Sequence, residues 1–401
     1  MAEVVRQLSE RLTDFGHSVT VATSCHLSSE CYYANGVKIM PFSISGNIVN
    51  GIKGEVKSYE KFLLESKFDV VVNFAAQQWA TDIVFSLLPR IYGCKVFVPT
   101  GFSGLYCRRY KKYYNQMPDW MKCYNMNVFH SDRYRDIEFA RKNSVTNTIL
   151  IPNGAAAEEF LKPPNDIRGR LNINPDQFLI LHVGTHTGYK GHKESLEIFS
   201  LADIENAVFL LVGNTPEGGC YSKCRQMADE LNSSKRFITK NKKIIIVSLD
   251  RAETVSAYLA ADLFLFPSNI ECSPIVLFES MASRTPFLTS NVGNCSEIIE
   301  WSGGAGEILP SVKSSFWTSD GPLFLRMVDK LRVMFGRVDY FNPVKVDVLL
   351  SAKQLEAIYR DKPRREKMSE AGFSSWETNY TWEKIALEYE CLYKQLKNGF
   401  L

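Results

Sequence analysis

The sequence predicts an α/β protein of two domains built on parallel sheets, and three observations carry that expectation. First, 401 residues exceed what one ordinary hydrophobic core accommodates. Second, apolar runs of strand length alternate with helical segments along most of the chain, the pattern of βαβ units. Third, residues 262–306 read as one complete strand–helix–strand unit. Asp262 to Pro267 is apolar and ends in Pro-Ser, a strand-end signal. Ser273-Pro274 opens a helix, serine as N-cap and proline at the first helical position, where its missing N–H costs nothing. That helix places Val276, Leu277 and Met281 on one face and stops at Arg284-Thr285-Pro286, and Pro286 to Thr289 follows as a second buried strand.

The same logic assigns the rest in order. Val4, Val5, Leu8 and Leu12 form one face of an opening helix that Gly16 stops, and His17 to Thr23 alternates as a strand. Gly36 to Pro41 is a strand, residues 56–65 a polar helix, Phe68 to Phe74 a buried strand, Ala80 to Tyr92 a helix and Lys95 to Pro99 a strand. Asn127 to His130 is a short strand and Asp132 to Lys142 a helix. Pro163-Pro164 marks a linker, with a second domain starting near 165. Gln177 to Val183, Ala207 to Gly213 and Lys243 to Leu249 are its further strands; Gly218-Gly219 opens a helix, and the chain turns helical after 310. The expected organisation is 1–160, 165–375, and a terminal helix over 376–401 that crosses back to the first domain.

Composition narrows the function. A hydrophobic share of 45 % with 23 % charged residues is that of a globular protein, and a formal charge of +3 gives no general affinity for polyanions. No apolar run approaches the ~20 residues of a membrane-spanning helix. The ten cysteines show no C-x-x-C pair, and without a secretory signal they point to reduced thiols and a cytoplasmic location. His182, His186 and His192 fit no zinc-ligand spacing, so no metal is expected. Residues 105–124 interleave Arg108, Arg109, Lys111 and Lys112 with tyrosines, and residues 101–150 hold nine Lys or Arg against four Asp or Glu. Such a stretch reads either as a solvated helix face or as a peripheral contact to the inner face of a membrane or a lipid-linked acceptor; no motif supports nucleic-acid binding.

Helix N-terminal N–H groups around Ser273, Pro274, Ile275 and Val276 would attract phosphate. Glu271 precedes that terminus and Glu279 lies about a turn and a half inside the helix, roughly 8 Å along at 1.5 Å per residue. The arrangement suits a nucleoside diphosphate sugar, with phosphates on the helix end and the carboxylates on sugar and ribose hydroxyls. Two glutamates eight residues apart do not establish this unaided.

Their context does more. Ser268, Glu271, Pro274, Glu279, Met281, Ala282, Ser283, Pro286, Gly293 and Glu297 stand in the order and register of the retaining glycosyltransferases of family four, which this chain resembles. Thr148 to Gly154, TILIPNG, is similar to that family's interdomain hinge, and GTHTGYKG at Gly184–Gly191 to its second donor signature. The resemblance implies a GT-B fold: two Rossmann-like doubly wound parallel-sheet domains facing across a cleft, acceptor on the first and nucleotide sugar on the second.

It further implies metal-independent transfer of a sugar from a UDP-sugar or GDP-sugar, with retention, to a glycan or lipid-linked acceptor in cell-surface polysaccharide synthesis. Lys190 would neutralise the departing diphosphate and Glu271 orient the sugar, while Gly184, Thr185, Ser248 and Arg251 complete the donor site with Glu279. Gln77, Trp79, Asp82, Gly101 and His130, at strand ends of the first domain, are acceptor-side candidates, the alternative being ordinary loop polar residues. The chain departs from the pattern at Thr185, where Arg is usual, and at Arg284, where Gly is usual. It also lacks the family's first strand and Gly-rich turn before the opening helix. A non-catalytic partner protein and a nucleotide-sugar epimerase of the same fold are the alternatives to a transferase.

Overall fold

The computed structural model describes residues 2–24, 30–162, 165–214, 219–312 and 344–400. Pro163, Pro164 and Gly218 lie outside them. Before residue 154 the described strands are β1 (Thr20–Ser24), β2 (Tyr32–Ala34), β3 (Val37–Phe42), β4 (Ile44–Asn47), β5 (Gly51–Gly54), β6 (Val70–Phe74), β7 (Cys94–Val98), β8 (Met126–Phe129) and β9 (Thr148–Leu150). β6, β7, β8 and β9 form a parallel sheet in that order. β1 pairs in parallel with β3, which pairs antiparallel with β2, and β4 with β5 is a separate hairpin. Among the described strands β1 is joined only to β3 and β6 only to β7.

Residues 2–153 and 382–400 make one compact unit. Its opening helix, Ala2–Asp14, buries Val4, Leu8 and Leu12 on the predicted face and ends before Gly16, whose φ of +90° suits a residue without Cβ. Arg11 and His17 reach Glu383 and Glu390 of the last helix, Trp382–Phe400, at 2.6 and 2.8 Å. The sequence boundary at 376 therefore needs correction. Trp376 belongs to the preceding helix, Lys362–Asn379, and is fully buried in the other unit, its indole N–H donating to the Ala155 carbonyl at 3.2 Å. The expected helix over Ala80 to Tyr92 is shorter, Trp79–Phe85, and turns carry the chain on to Gly93.

Residues 154–312 and 344–381 make the second unit. Its strands are β10 (Phe178–Val183), β11 (Ala207–Val212), β12 (Lys242–Val247), β13 (Leu263–Phe266), β14 (Phe287–Thr289) and β15 (Gly306–Ile308). They pair in the order β12-β11-β10-β13-β14-β15, every pair parallel. This is the doubly wound arrangement, with its topological switch between β10 and β13. Both faces of the sheet are covered, so the strands read as continuous apolar runs, and every residue of β11 and β13 is buried. No described helix is long and apolar enough to cross a membrane.

Candidate functional site

The loops that leave β10 and β13 emerge side by side at the switch point, where open α/β sheets bind ligands. Two glycines let these loops meet other backbone. A Cβ on Gly191, at φ +73°, would stand 2.0 Å from the Pro267 carbonyl oxygen, and one on Gly293, at φ +55°, 2.3 Å from that of Cys272. Tyr189 seals the contact: its carbonyl accepts from the Asn269 N–H at 2.8 Å.

This closure places Lys190 against Glu271. The ammonium donates to Glu271 Oε1 at 2.7 Å, and the Ser268 hydroxyl donates to the same oxygen at 2.8 Å. Glu271 is nearly buried and Lys190 about one-third exposed, so the cation keeps an open side. The helix that follows is Ile275–Ala282. It begins one residue later than expected: Pro274 occupies the N-cap position with φ −73° and ψ 113°, and Ser273 is not the cap. The Ser273 hydroxyl instead accepts from the Asn294 amide at 3.1 Å. Proline has no N–H, so Ile275 and Val276 supply the helix-end donors that precede the first intrahelical bond.

Glu279 is buried in that helix and accepts from the Arg251 guanidinium at 2.6 Å. The other side of the guanidinium is held by Glu159, its Nε donating at 3.0 Å. Burial opposes the charge on Arg251, but the Glu279 and Glu159 carboxylates more than offset it and raise its pKa. Arg251, expected in the donor site, is engaged with two carboxylates at the start of a helix capped reciprocally by Asp250 and Glu253. Glu159 was not foreseen, because a carboxylate in the short helix Ala157–Phe160 carries no local signal of a partner 92 residues away. Ser248 and Thr185 lie exposed after β12 and β10.

The acceptor-side candidates of the first unit are engaged within it. Gln77 Oε1 accepts from Ser103, the Gly104 N–H and Tyr114 at 2.9, 3.0 and 3.0 Å. Asp82 is buried and accepts from the Tyr113 hydroxyl at 2.8 Å and the Ile48 N–H at 2.9 Å; burial raises its pKa against those bonds. The Trp79 indole donates to Ser24 at 2.9 Å, the Gly101 N–H donates to Asp136 at 2.8 Å, and buried His130 bonds the Ile151 carbonyl at 2.8 Å. In the stretch 105–124, Tyr110, Tyr113 and Tyr114 face the core while Arg108, Arg109, Lys111 and Lys112 are exposed. One further sequence expectation changes: His182, His186 and His192, separated by their spacing, come together in space.

Residues 164–312, which hold all of this second-unit site except Glu159, match the family model for glycosyl transferases group 1. The chain carries a group 1 glycosyltransferase domain. Over 165 residues it is 31 % identical to a Bacillus subtilis protein assigned as the teichuronic acid biosynthesis glycosyltransferase TuaC, covering 40 % of this chain and 38 % of that one. It is 24 % identical over 213 residues to the N-acetyl-alpha-D-glucosaminyl L-malate synthase of Bacillus anthracis, 52 % of each chain. The chain thus spans about two-fifths to half the length of these curated relatives. Among solved structures, sucrose-phosphate synthase from Thermosynechococcus elongatus superposes with a TM-score of 0.73 at 18 % identity, covering 98 % of this chain and 93 % of its own. Anabaena Alr3699/HepE in complex with UDP and glucose does so at 0.68 and 12 %, covering 98 % and 96 %. The fold is GT-B.

Proposed function

We propose that this protein is a retaining glycosyltransferase that moves a sugar from a nucleoside diphosphate sugar to a glycan or lipid-linked acceptor, by chemistry that uses no metal. The observation that carries the reading is the Lys190–Glu271 pair beside the N-terminus of Ile275–Ala282, at the switch point of a group 1 domain. A cation with an open side and two helix-end N–H groups are what a departing diphosphate needs, since its negative charge grows as the glycosidic bond breaks. Glu271, anchored through Ser268 and Lys190, offers its second oxygen to sugar hydroxyls. Glu279, held by Arg251, serves the ribose, and Arg251 acts by positioning it.

Polysaccharide or glycan synthesis is the setting the relatives suggest, and UDP is the first nucleotide to try, because one structural neighbour was solved with it. The acceptor is assigned to the first unit near Gln77, Trp79, Asp82, Gly101 and His130, whose internal hydrogen bonds make them a scaffold for the loops around them. The test is turnover of UDP- and GDP-sugars against an acceptor panel without added metal, product configuration being read by NMR. Transfer that needs no added metal and gives the retained anomer supports the proposal; an inverted anomer, or turnover that depends on added magnesium or manganese, refutes it.

A further inference from the structure

Three histidines around the β10 loop present a separate chemistry. His182 at the end of β10, His186 in the loop and His192 at the start of the helix His192–Leu201 are each more than nine-tenths buried. Their rings meet, His186 stacked on His192 with centroids 4.2 Å apart and His182 edge-on to His192 at 4.8 Å. Each keeps one buried nitrogen without a hydrogen-bond partner: His182 Nε2, His186 Nε2 and His192 Nδ1. Buried polar atoms are almost always paired, so three orphans in contact call for an explanation.

The second nitrogens fix what the orphans are. His182 Nδ1 donates to the Leu265 carbonyl at 2.9 Å and His192 Nε2 to the Gly184 carbonyl at 3.1 Å. A carbonyl only accepts, so both rings are held in the tautomer whose free nitrogen is a lone pair. This is how metal-ligating histidines are oriented. Cys220 faces the cluster from the first turn of the helix Gly219–Asn232, its Sγ 3.6 Å from His186 Nδ1. Ligand atoms of His186, His192 and Cys220 all lie within 4.8 Å of one another. Two ligands on tetrahedral zinc, with Zn–S about 2.3 Å and Zn–N about 2.0–2.1 Å, stand about 3.6 Å apart. The separation of Cys220 Sγ from His186 Nδ1 already has that value, which makes Nδ1, and not the unpaired Nε2, the ligand atom of His186.

We propose that His186, His192 and Cys220 bind one zinc ion, with His182 behind them, and that this ion fastens the β10 loop to the helix Gly219–Asn232. Two imidazoles and a thiolate are a borderline-soft donor set that suits zinc, and three protein ligands leave a fourth position for water. The loop it would fasten ends in Lys190, so the metal is structural to the donor site and takes no part in bond breaking.

Cobalt(II) titration of the full chain after removal of metal by chelation tests the site. It is expected to bind one cobalt per chain, with the intense d–d absorption of a tetrahedral ion and a sulfur-to-cobalt charge-transfer band, both displaced by zinc. Cys220→Ser, at a half-exposed position, should abolish the charge-transfer band while circular dichroism stays native; His186→Gln should weaken binding at least tenfold; Cys391→Ser should change nothing. Absence of a tetrahedral cobalt spectrum in the parent chain, or a charge-transfer band that persists in Cys220→Ser, overturns the proposal. Neither readout depends on the transferase reading.

Discussion

Lys190 Nζ and Glu271 Oε1, 81 residues apart in sequence, are 2.7 Å apart in the structure, and the Ser268 hydroxyl fixes the same carboxylate oxygen. The pair is built by backbone: Gly191 lets the Pro267 carbonyl approach, and the Tyr189 carbonyl accepts from the Asn269 N–H of the opposite loop. Lys190→Ala removes the cation that would face the departing diphosphate. Loss of one such donor costs about 10²–10³ in kcat. That loss is expected with only a small drop in melting temperature, since a partly exposed ion pair adds little stability; the check is steady-state kinetics beside calorimetry.

Gly191→Ala tests the same closure without touching a charge. Its Cβ would lie 2.0 Å from the Pro267 oxygen at φ +73°, so the loops must part. A lower melting temperature together with loss of nucleotide binding is expected. Gly188→Ala, at φ +81° with nothing nearby for its Cβ to meet, separates backbone strain from the clash and should cost less of both.

Glu279→Ala leaves Arg251 with Glu159 alone. Breaking a fully buried pair costs about 3–5 kcal/mol. The guanidinium keeps solvent contact, so the expected loss is smaller, about 1–2 kcal/mol. Glu279→Gln should recover much of the stability and little of the nucleotide binding, because an amide fills the space and still accepts from Arg251 but offers the ribose hydroxyls no carboxylate. Urea denaturation with and without nucleotide reads both.

Asp136 gives a pH signature. Burial raises its carboxyl to about 6, against the bonds it accepts from the Gly101 and Ile137 N–H groups. Its folded pKa lies above the unfolded value of about 3.9. Between the two the folded state binds more protons, so the stability it contributes is full below about pH 4 and is lost as pH rises through 6. Asp136→Asn should flatten stability between pH 4 and 6 relative to the parent; an unchanged slope would place the titration elsewhere.

Much of this architecture was legible because burial on both faces of a parallel sheet writes itself as continuous apolar runs such as 207–212 and 263–266. The site was legible where its residues are local to one turn, as with Glu271 and the helix end that follows it. Partnerships across the fold were not. Nothing near Arg251 announces Glu159, and the spacing of three histidines on a strand, a loop and a helix hides that the β10 loop folds them together. The hairpin strand Tyr32–Ala34, wholly exposed, has no apolar face to give it away. The helix start at Ile275 rather than Pro274 reflects the extended ψ of 113° that the proline adopts.

Lys190, Glu271 and the helix end of Ile275–Ala282 are the proposed nucleoside diphosphate site. Thermal melting of the full chain with UDP, repeated in Lys190→Ala, tests it most directly. A ligand at 100 times its dissociation constant that binds only the folded state adds about 2.7 kcal/mol. A clear upward shift with UDP or another nucleoside diphosphate is expected in the parent chain, and a much reduced one in Lys190→Ala. A well-folded parent that no nucleoside diphosphate stabilises, or a shift that Lys190→Ala leaves intact, would contradict it.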